Sequence, residues 1–226
     1  MHATRKVHSM AEPMTKDRVL RGALALADEI GFEAFTMRRL ATALGTKPMT
    51  IYHHVPSKEE ILDGIVELVF AEIALPPTRD DWRAAVRARY VSAREVLARH
   101  PWAPPYMESR PVPGPAQLRH HDAVLGALRS GLSLEVTAHA YAILDAYLYG
   151  FAMQEANLPH HGEEPIAEMA GEMAAAFPAD RYPHFVELAG HVATTPGYRF
   201  GDTFDLGLDL LLDAVERLER EERADA

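Results

Sequence analysis

The feature that most constrains this chain is the break at Gly45-Thr46-Lys47-Pro48, where a short helical pattern stops and another starts at once. Before the break, Thr36 is placed to cap a helix. Met37, Leu40, Ala41 and Leu44 then form a short apolar stripe that ends at Gly45. After it, Pro48 falls in a first turn, where the missing N–H costs nothing. Met49-Thr50-Ile51-Tyr52-His53-His54-Val55 reads as a third short helix closed by Pro56. Two short helices joined by three residues read as a helix-turn-helix.

The flanks complete a small unit. Thr15 is positioned as an N-cap, with Asp17 in the first turn where the helix dipole favours an acid. Leu20, Ala23, Leu24, Ala27 and Ile30 share one face, Gly31 supplies the stop, and Phe32 and Phe35 plug the core. Ser57-Lys58-Glu59-Glu60 has capping-box spacing and opens a fourth helix through Ile61, Leu62, Ile65, Leu68 and Val69, ending before Pro76-Pro77. The expected division is a flexible arm over 1–14, a helix-turn-helix domain over 15–60 and a helical domain over 61–226. Arg5 and Lys6 of the arm read as part of a disordered tail, the alternative being a minor-groove contact.

The run Phe35-Thr36-Met37-Arg38-Arg39-Leu40-Ala41, continued by Leu44-Gly45-Thr46-Lys47-Pro48-Met49-Thr50-Ile51-Tyr52-His53-His54-Val55-Pro56-Ser57-Lys58, resembles the DNA-binding domain of the tetracycline-repressor (TetR) family. Ile61-Leu62 departs slightly from the leucine pair usual there. The resemblance implies a transcription regulator, in which Tyr52 and His53 lie at positions used on the DNA backbone and Lys58 matches a phosphate-binding lysine. A recognition helix needs its N-terminal residues at base edges and flanking groups on phosphate. Thr46, Lys47, Pro48, Met49 and Thr50 occupy that turn; Thr50 can hydrogen-bond, while Pro48 and Met49 offer apolar contact. Thr36 and Arg38 start the second helix, where backbone amides favour phosphate. Ile51 and Val55 read as core, His54 as a capping or packing residue, and Arg39 as a solvated one.

Charge fits this polarity. The chain carries a net charge of −10, yet residues 1–60 hold nine Lys/Arg against seven Asp/Glu, so the acidity lies in the rest of the chain. No cysteine is present, which removes disulfides and thiolate metal sites. Residues 1–14 lack the apolar segment of a signal peptide, and Val136 to Leu144 is too short to span a bilayer. A soluble cytoplasmic protein is expected.

From Asp80 onward the periodicity is helical throughout, with candidate helices over 80–99, 101–108, 115–130, 133–156, 163–176, 181–194 and 203–221, so the fold class is all-α. In the last helix Asp202, Asp205, Asp209, Asp213 and Glu216 fall within roughly 80° of arc at ~100° per residue. Leucines and other apolar residues fill most of the remainder, more than one buried face requires. Between Val136 and Met153 the helix at 133–156 has Asp145 as its only formal charge. Two such helices per chain suit a four-helix bundle with a two-fold mate, hence a homodimer on paired half-sites, that is, a palindromic operator. The segments Ala142–Glu155 and Phe204–Asp213 resemble the C-terminal regulatory domain of one TetR branch, which implies a dimerising, ligand-receiving domain.

Candidate ligand-binding residues are Trp102, Tyr106, His121, Leu125, Tyr141, Asp145, Tyr149 and Met153, with Trp82, Tyr90 and Met107 beside them. Asp145 leads, because a buried carboxylate needs a partner: an internal arginine or a cationic ligand. His120-His121 is not expected to hold a metal, since adjacent residues on a helix diverge by ~100°, and His160-His161 reads as part of a solvated loop from Leu158 to Pro165. No cofactor is expected. No phosphate-binding glycine loop, nucleophile elbow or cysteine nucleophile appears. The expected role is therefore a repressor released by a small-molecule effector, not an enzyme; the alternative is a helical-bundle carrier or enzyme whose N-terminal motif serves protein contacts.

Overall fold

A computed structural model describes residues 13–77, 81–110, 112–158 and 166–225. Arg5, Lys6 and most of the expected arm lie outside those residues, as do His160, His161 and the starts of the helices expected from 80 and 163. The described residues form eleven α-helices and one 3₁₀ turn, with no strand among them. The chain divides into two compact units, Met1–Ile65 and Val66–Ala226, a few residues beyond the boundary at 60.

The first unit contains α1 (Lys16–Ile30), α2 (Met37–Ala43), α3 (Pro48–Tyr52) and the start of α4 (Lys58–Glu72). Its caps are the expected ones. The Thr15 hydroxyl accepts from the Arg18 amide at 3.1 Å, Thr36 from Arg39 at 3.2 Å, and Ser57 from Glu60 at 3.0 Å. Gly45 adopts φ 63°, a left-handed value that lets the Thr46 amide reach back to the Ala41 carbonyl at 2.9 Å and turns the chain from α2 into α3. Helix α3 is shorter than expected. It stops at Tyr52, and His53 to Val55 leave in a turn held by His54 and Val55 amides on the Ile51 carbonyl. Val19, Ala23, Ala27, Phe35, Leu40, Ile51, Val55, Ile61 and Ile65 are sealed from solvent.

The second unit contains the rest of α4, then α5 (Trp82–Arg99), α6 (Pro104–Glu108), α7 (Pro115–Arg129), α8 (Leu134–Ala156), α9 (Ala167–Ala176), α10 (Pro183–Thr194) and α11 (Thr203–Asp225). Helix α5 packs on α7, α8 and α11, and α8 packs on α5, α6, α7 and α11. Helices α9 and α10 pack chiefly on each other. The Glu67 carboxylate of α4 accepts from the Ala116 amide at 2.6 Å, so an acid from a neighbouring helix caps the N-terminus of α7. Gly114 permits it: a β-carbon there would stand 2.2 Å from that carboxyl group. No described helix is long and apolar enough to cross a membrane.

Two predicted faces of the long helices are visible. In α8, Val136, Ala140, Leu144 and Leu148 are buried while Ile143 and Met153 are exposed. In α11, Phe204, Leu208, Leu212 and Val215 are buried while Leu206 and Leu210 remain about 60% exposed. The acidic stripe of α11 does not face solvent alone. Arg87 binds Asp209 at 2.8 Å and Asp205 at 3.3 Å, and Arg83 binds Asp213 at 2.7 Å and Glu216 at 3.4 Å.

Candidate functional site

In the first unit the expected DNA-contacting residues split by role. Ile51 is fully buried and fixes one side of α3. At ~100° per residue, Met49, Tyr52 and His53 fall within ~100° of one another on the side opposite Ile51. Met49 is 66% exposed and Tyr52 40%, and Lys47, Pro48 and His53 are exposed with them. Thr46 and Thr50 are half-buried at the edges of this face, and Thr36 and Arg38 are exposed at the start of α2. A large apolar side chain such as Met49, held in water at the head of a short helix, does no work in the core of its own unit.

Lys58 has a structural role that the sequence did not indicate. Its ammonium donates to the Phe35 carbonyl at 2.8 Å and the Phe32 carbonyl at 3.5 Å, and it sits 4.7 Å from the centre of the Phe32 ring. It thus clasps the α1–α2 connection, where Phe32 and Phe35 stack at 5.1 Å. An ammonium has three N–H groups, so two carbonyls do not exhaust it. Arg39, expected to be solvated, donates to the Ala34 carbonyl at 2.8 Å in the same connection.

In the second unit a polar cluster gathers around Asp145 on α8. Tyr90 of α5 donates to its carboxylate at 2.8 Å, and Tyr141 lies one turn earlier on α8. Arg89 is 2% exposed and its guanidinium comes only to 3.9 Å of that carboxylate. His121 stands edge-on to Tyr141 at 5.7 Å and to Phe70 at 6.3 Å. Burial, reinforced by the Asp145 charge, pushes the Tyr90, Tyr141 and Tyr149 hydroxyls well above the ordinary phenol value, so all three stay protonated donors. Burial, with the Arg89 charge, lowers His120 to about 4, and burial also lowers His121, so both rings favour the neutral form. Burial and Asp145 raise the Glu108 carboxyl.

Four of the expected ligand residues, His121, Tyr141, Asp145 and Tyr149, are therefore brought into one electrostatic neighbourhood. Trp102 and Tyr106 pair with each other, ring centres 6.3 Å apart, at the α6 segment that packs on α8. Leu125 and Met153, one turn beyond His121 on α7 and beyond Tyr149 on α8, are 37% and 47% exposed. The residue that sequence reading passed over is Arg89. Its signal was phase, because it falls in step with Ala85, Val86, Tyr90, Ala93, Val96 and Leu97, the buried stripe of α5. Among the described residues no group of three His, Asp or Glu is arranged to hold a metal ion.

Comparison with known proteins agrees with both units. Residues 19–65 match the family described as bacterial regulatory proteins, tetR family, and residues 75–218 match the tetracyclin repressor-like C-terminal domain. The HTH-type transcriptional repressor DrrR1 of Streptomyces coeruleorubidus is 33% identical, over 94% of this chain and 81% of its own length. The class C tetracycline repressor protein of Escherichia coli is 26% identical, over 91% of this chain and 92% of its own. The crystal structure of the Streptomyces coelicolor TetR family protein ActR in complex with actinorhodin superposes with a TM-score of 0.72 at 27% identity, covering 91% of this chain and 96% of that one. The matches span nearly the whole chain, so this protein belongs to the TetR family of ligand-responsive, DNA-binding transcriptional repressors.

Proposed function

We propose that the chain acts as a homodimer on a palindromic operator, reading it through Thr46, Lys47, Pro48, Met49, Thr50, Tyr52 and His53, with Thr36, Arg38 and Lys58 on phosphate. The observation that carries this reading is the exposed face made by Met49 and Tyr52 of α3 and by His53 at its C-cap, opposite the buried Ile51. A recognition helix needs such a face, solvent-presented and anchored from behind. The exposed rows on α8 and α11, with Ile143, Leu206 and Leu210 among them, are the surfaces that would meet a second copy. A small organic effector would enter the second unit near Asp145 and favour a state with lower operator affinity, as differential affinity for two states requires. ActR, which was solved in complex with actinorhodin, supports a small organic effector. The protein works by binding rather than catalysis, and a cytoplasmic location follows from acting on DNA.

The test is a gel shift with DNA from upstream of the protein's own coding region, repeated at several salt concentrations. Thr50→Ala is expected to weaken binding by about tenfold, the scale of one lost base or phosphate contact at 1–3 kcal/mol. Lys58→Ala is expected to weaken binding and flatten its salt dependence. Circular dichroism reports whether the loss of the Lys58 clasp also lowers stability. Wild-type binding by both variants at every salt concentration sinks the assignment.

A further inference from the structure

The face of α3 that meets a base pair is short of the groups that usually read one. Bidentate reading of adenine calls for Asn or Gln, of guanine for Arg, and the cytosine amino group calls for Asp or Glu. Asn and Gln occur in the chain only at positions 117, 154 and 157, all in the second unit. From Ala34 to Lys58 there is no acid, and the cations are Arg38, Arg39, Lys47 and Lys58. Both arginines belong to α2, and Arg39 is held by the Ala34 carbonyl. Lys58 is spent in part on the Phe35 carbonyl. This stretch is cationic and suits phosphate, yet α3 itself carries no forked reader of any base.

What α3 does present at its head is Met49. Its side chain is 66% exposed, while Ile51 behind it is sealed. The backbone around it is well held: the Thr50 amide donates to the Lys47 carbonyl at 3.0 Å and the His53 amide to the Met49 carbonyl at 3.2 Å. Pro48 is exposed beside it and, lacking an N–H, adds only apolar surface. The half-buried Thr50 can hydrogen-bond more than one base, so it does not choose between them by itself. On the major-groove edge of a base pair the apolar target is the C5 methyl of thymine. An unbranched thioether moulds itself to such a small group.

We propose that α3 is a C5-methyl reader: Met49, flanked by Pro48, seats on one thymine methyl in each half-site, and 5-methylcytosine in that place is accepted as thymine is. This deepens the reading of the first unit as the operator-binding unit and rests on it. The methyl group, rather than the hydrogen-bonding edge of the base pair, sets the choice at that position. Burying one such group is worth about fourfold in affinity, and two half-sites together give about tenfold or more.

Gel shifts of the full chain with two forms of one duplex test this. The duplex is the fragment upstream of the coding region, or one that the protein selects from a random pool. One form is made with deoxythymidine and the other with deoxyuridine, which removes every C5 methyl and leaves base pairing intact. Wild type is expected to bind the thymine form about tenfold tighter. Met49→Ala is expected to bind that form about tenfold more weakly and to separate the two forms by less than about threefold. Met49→Leu, which stays apolar, is expected to keep most of the preference. Loss of every methyl also changes how the duplex bends, but a preference of that origin survives in Met49→Ala, and its survival overturns the proposal. Footprinting then locates the half-sites, and the matching thymine of each is replaced by cytosine or by 5-methylcytosine, opposite guanine. The methylated base is expected to bind within about threefold of thymine, and plain cytosine about tenfold more weakly. The wild-type results stand even if a Met49 variant fails to fold by circular dichroism. Equal binding of the thymine and uracil forms, or 5-methylcytosine as weak as cytosine, overturns the proposal and leaves the operator reading intact. A protein that binds neither form of any duplex loses the operator reading, and this inference with it.

Discussion

Helix α5 has two sides that use arginine in opposite ways. Arg83, Arg87 and Arg94 lie within ~40° of one another at ~100° per residue. The first two grip the acidic row of α11, and Arg94 holds the buried Glu155 of α8 through two hydrogen bonds. Arg89 falls on the other side, sealed in, with two nitrogens unpartnered. Geometry and solvent, rather than residue type, decide what each does. Removing one partner of such a pair costs much when the pair is buried and little when it is wet. A buried arginine whose charge is met only at 3.9 Å, with two nitrogens short of hydrogen bonds, contributes little to holding helices together.

Three experiments stress this contrast, beginning with the largest expected effect. Glu155 is 2% exposed and accepts two hydrogen bonds from Arg94, itself 23% exposed, so Glu155→Ala removes the buried half of this ion pair. The loss is expected to be about 3–5 kcal/mol, read by urea denaturation. A change below about 1 kcal/mol would place this pair with the surface ladder instead.

Next comes acid. His120 is buried and has a folded value of about 4 against an ordinary 6.5, the consequence of burial and of the Arg89 charge. The unfolded chain therefore takes up this proton first. Stability is expected to be full above about pH 6.5 and to fall as pH drops toward 4, by up to about 3 kcal/mol from this group. Denaturation at pH 7 and pH 4.5 for wild type and His120→Gln should show the smaller acid loss in the variant. An unchanged difference would mean that His120 is not shielded in the folded state.

The smallest effect belongs to the wet side. Arg87 hydrogen-bonds Asp209 and so holds that half-exposed carboxyl below its ordinary value, a stabilisation present above the carboxylate range and lost as pH falls through it. Arg87→Ala is expected to cost about 0.5 kcal/mol at low salt and less in high salt. A loss that salt does not alter would argue that the ladder acts through packing.

The same contrast explains what the sequence disclosed. Caps and stops are local, so Thr15, Thr36, Ser57 and Gly45 marked the first unit almost to the residue. Helix α3 came out shorter because the turn after Tyr52 is set by hydrogen bonds to Ile51 rather than by a breaker. In the second unit the helices were legible from period and proline. Their polar interior was not, because a partner on another helix leaves no mark in spacing. Asp145 was visible as a lone charge on an apolar helix, whereas Arg89 hid among the many arginines of α5 and was distinguishable only by phase. The acidic stripe of α11 was seen, but not the arginines that meet it. Leu125 and Met153 were drawn into the candidate list by residue type, and both are more exposed than Tyr149.

One further element has a bearing on how the second unit can change. Helices α9 and α10 rest chiefly on each other, and Phe177, Tyr182, Phe185 and Leu188 remain exposed on them. Such a hairpin is an appendage in thermodynamic terms: its loosening breaks few bonds with α5, α7 or α8, so it opens at lower free energy than the rest of the unit. Its sequence is correspondingly free to drift, or to be exchanged for another hairpin, while the packing that surrounds Asp145 stays as it is.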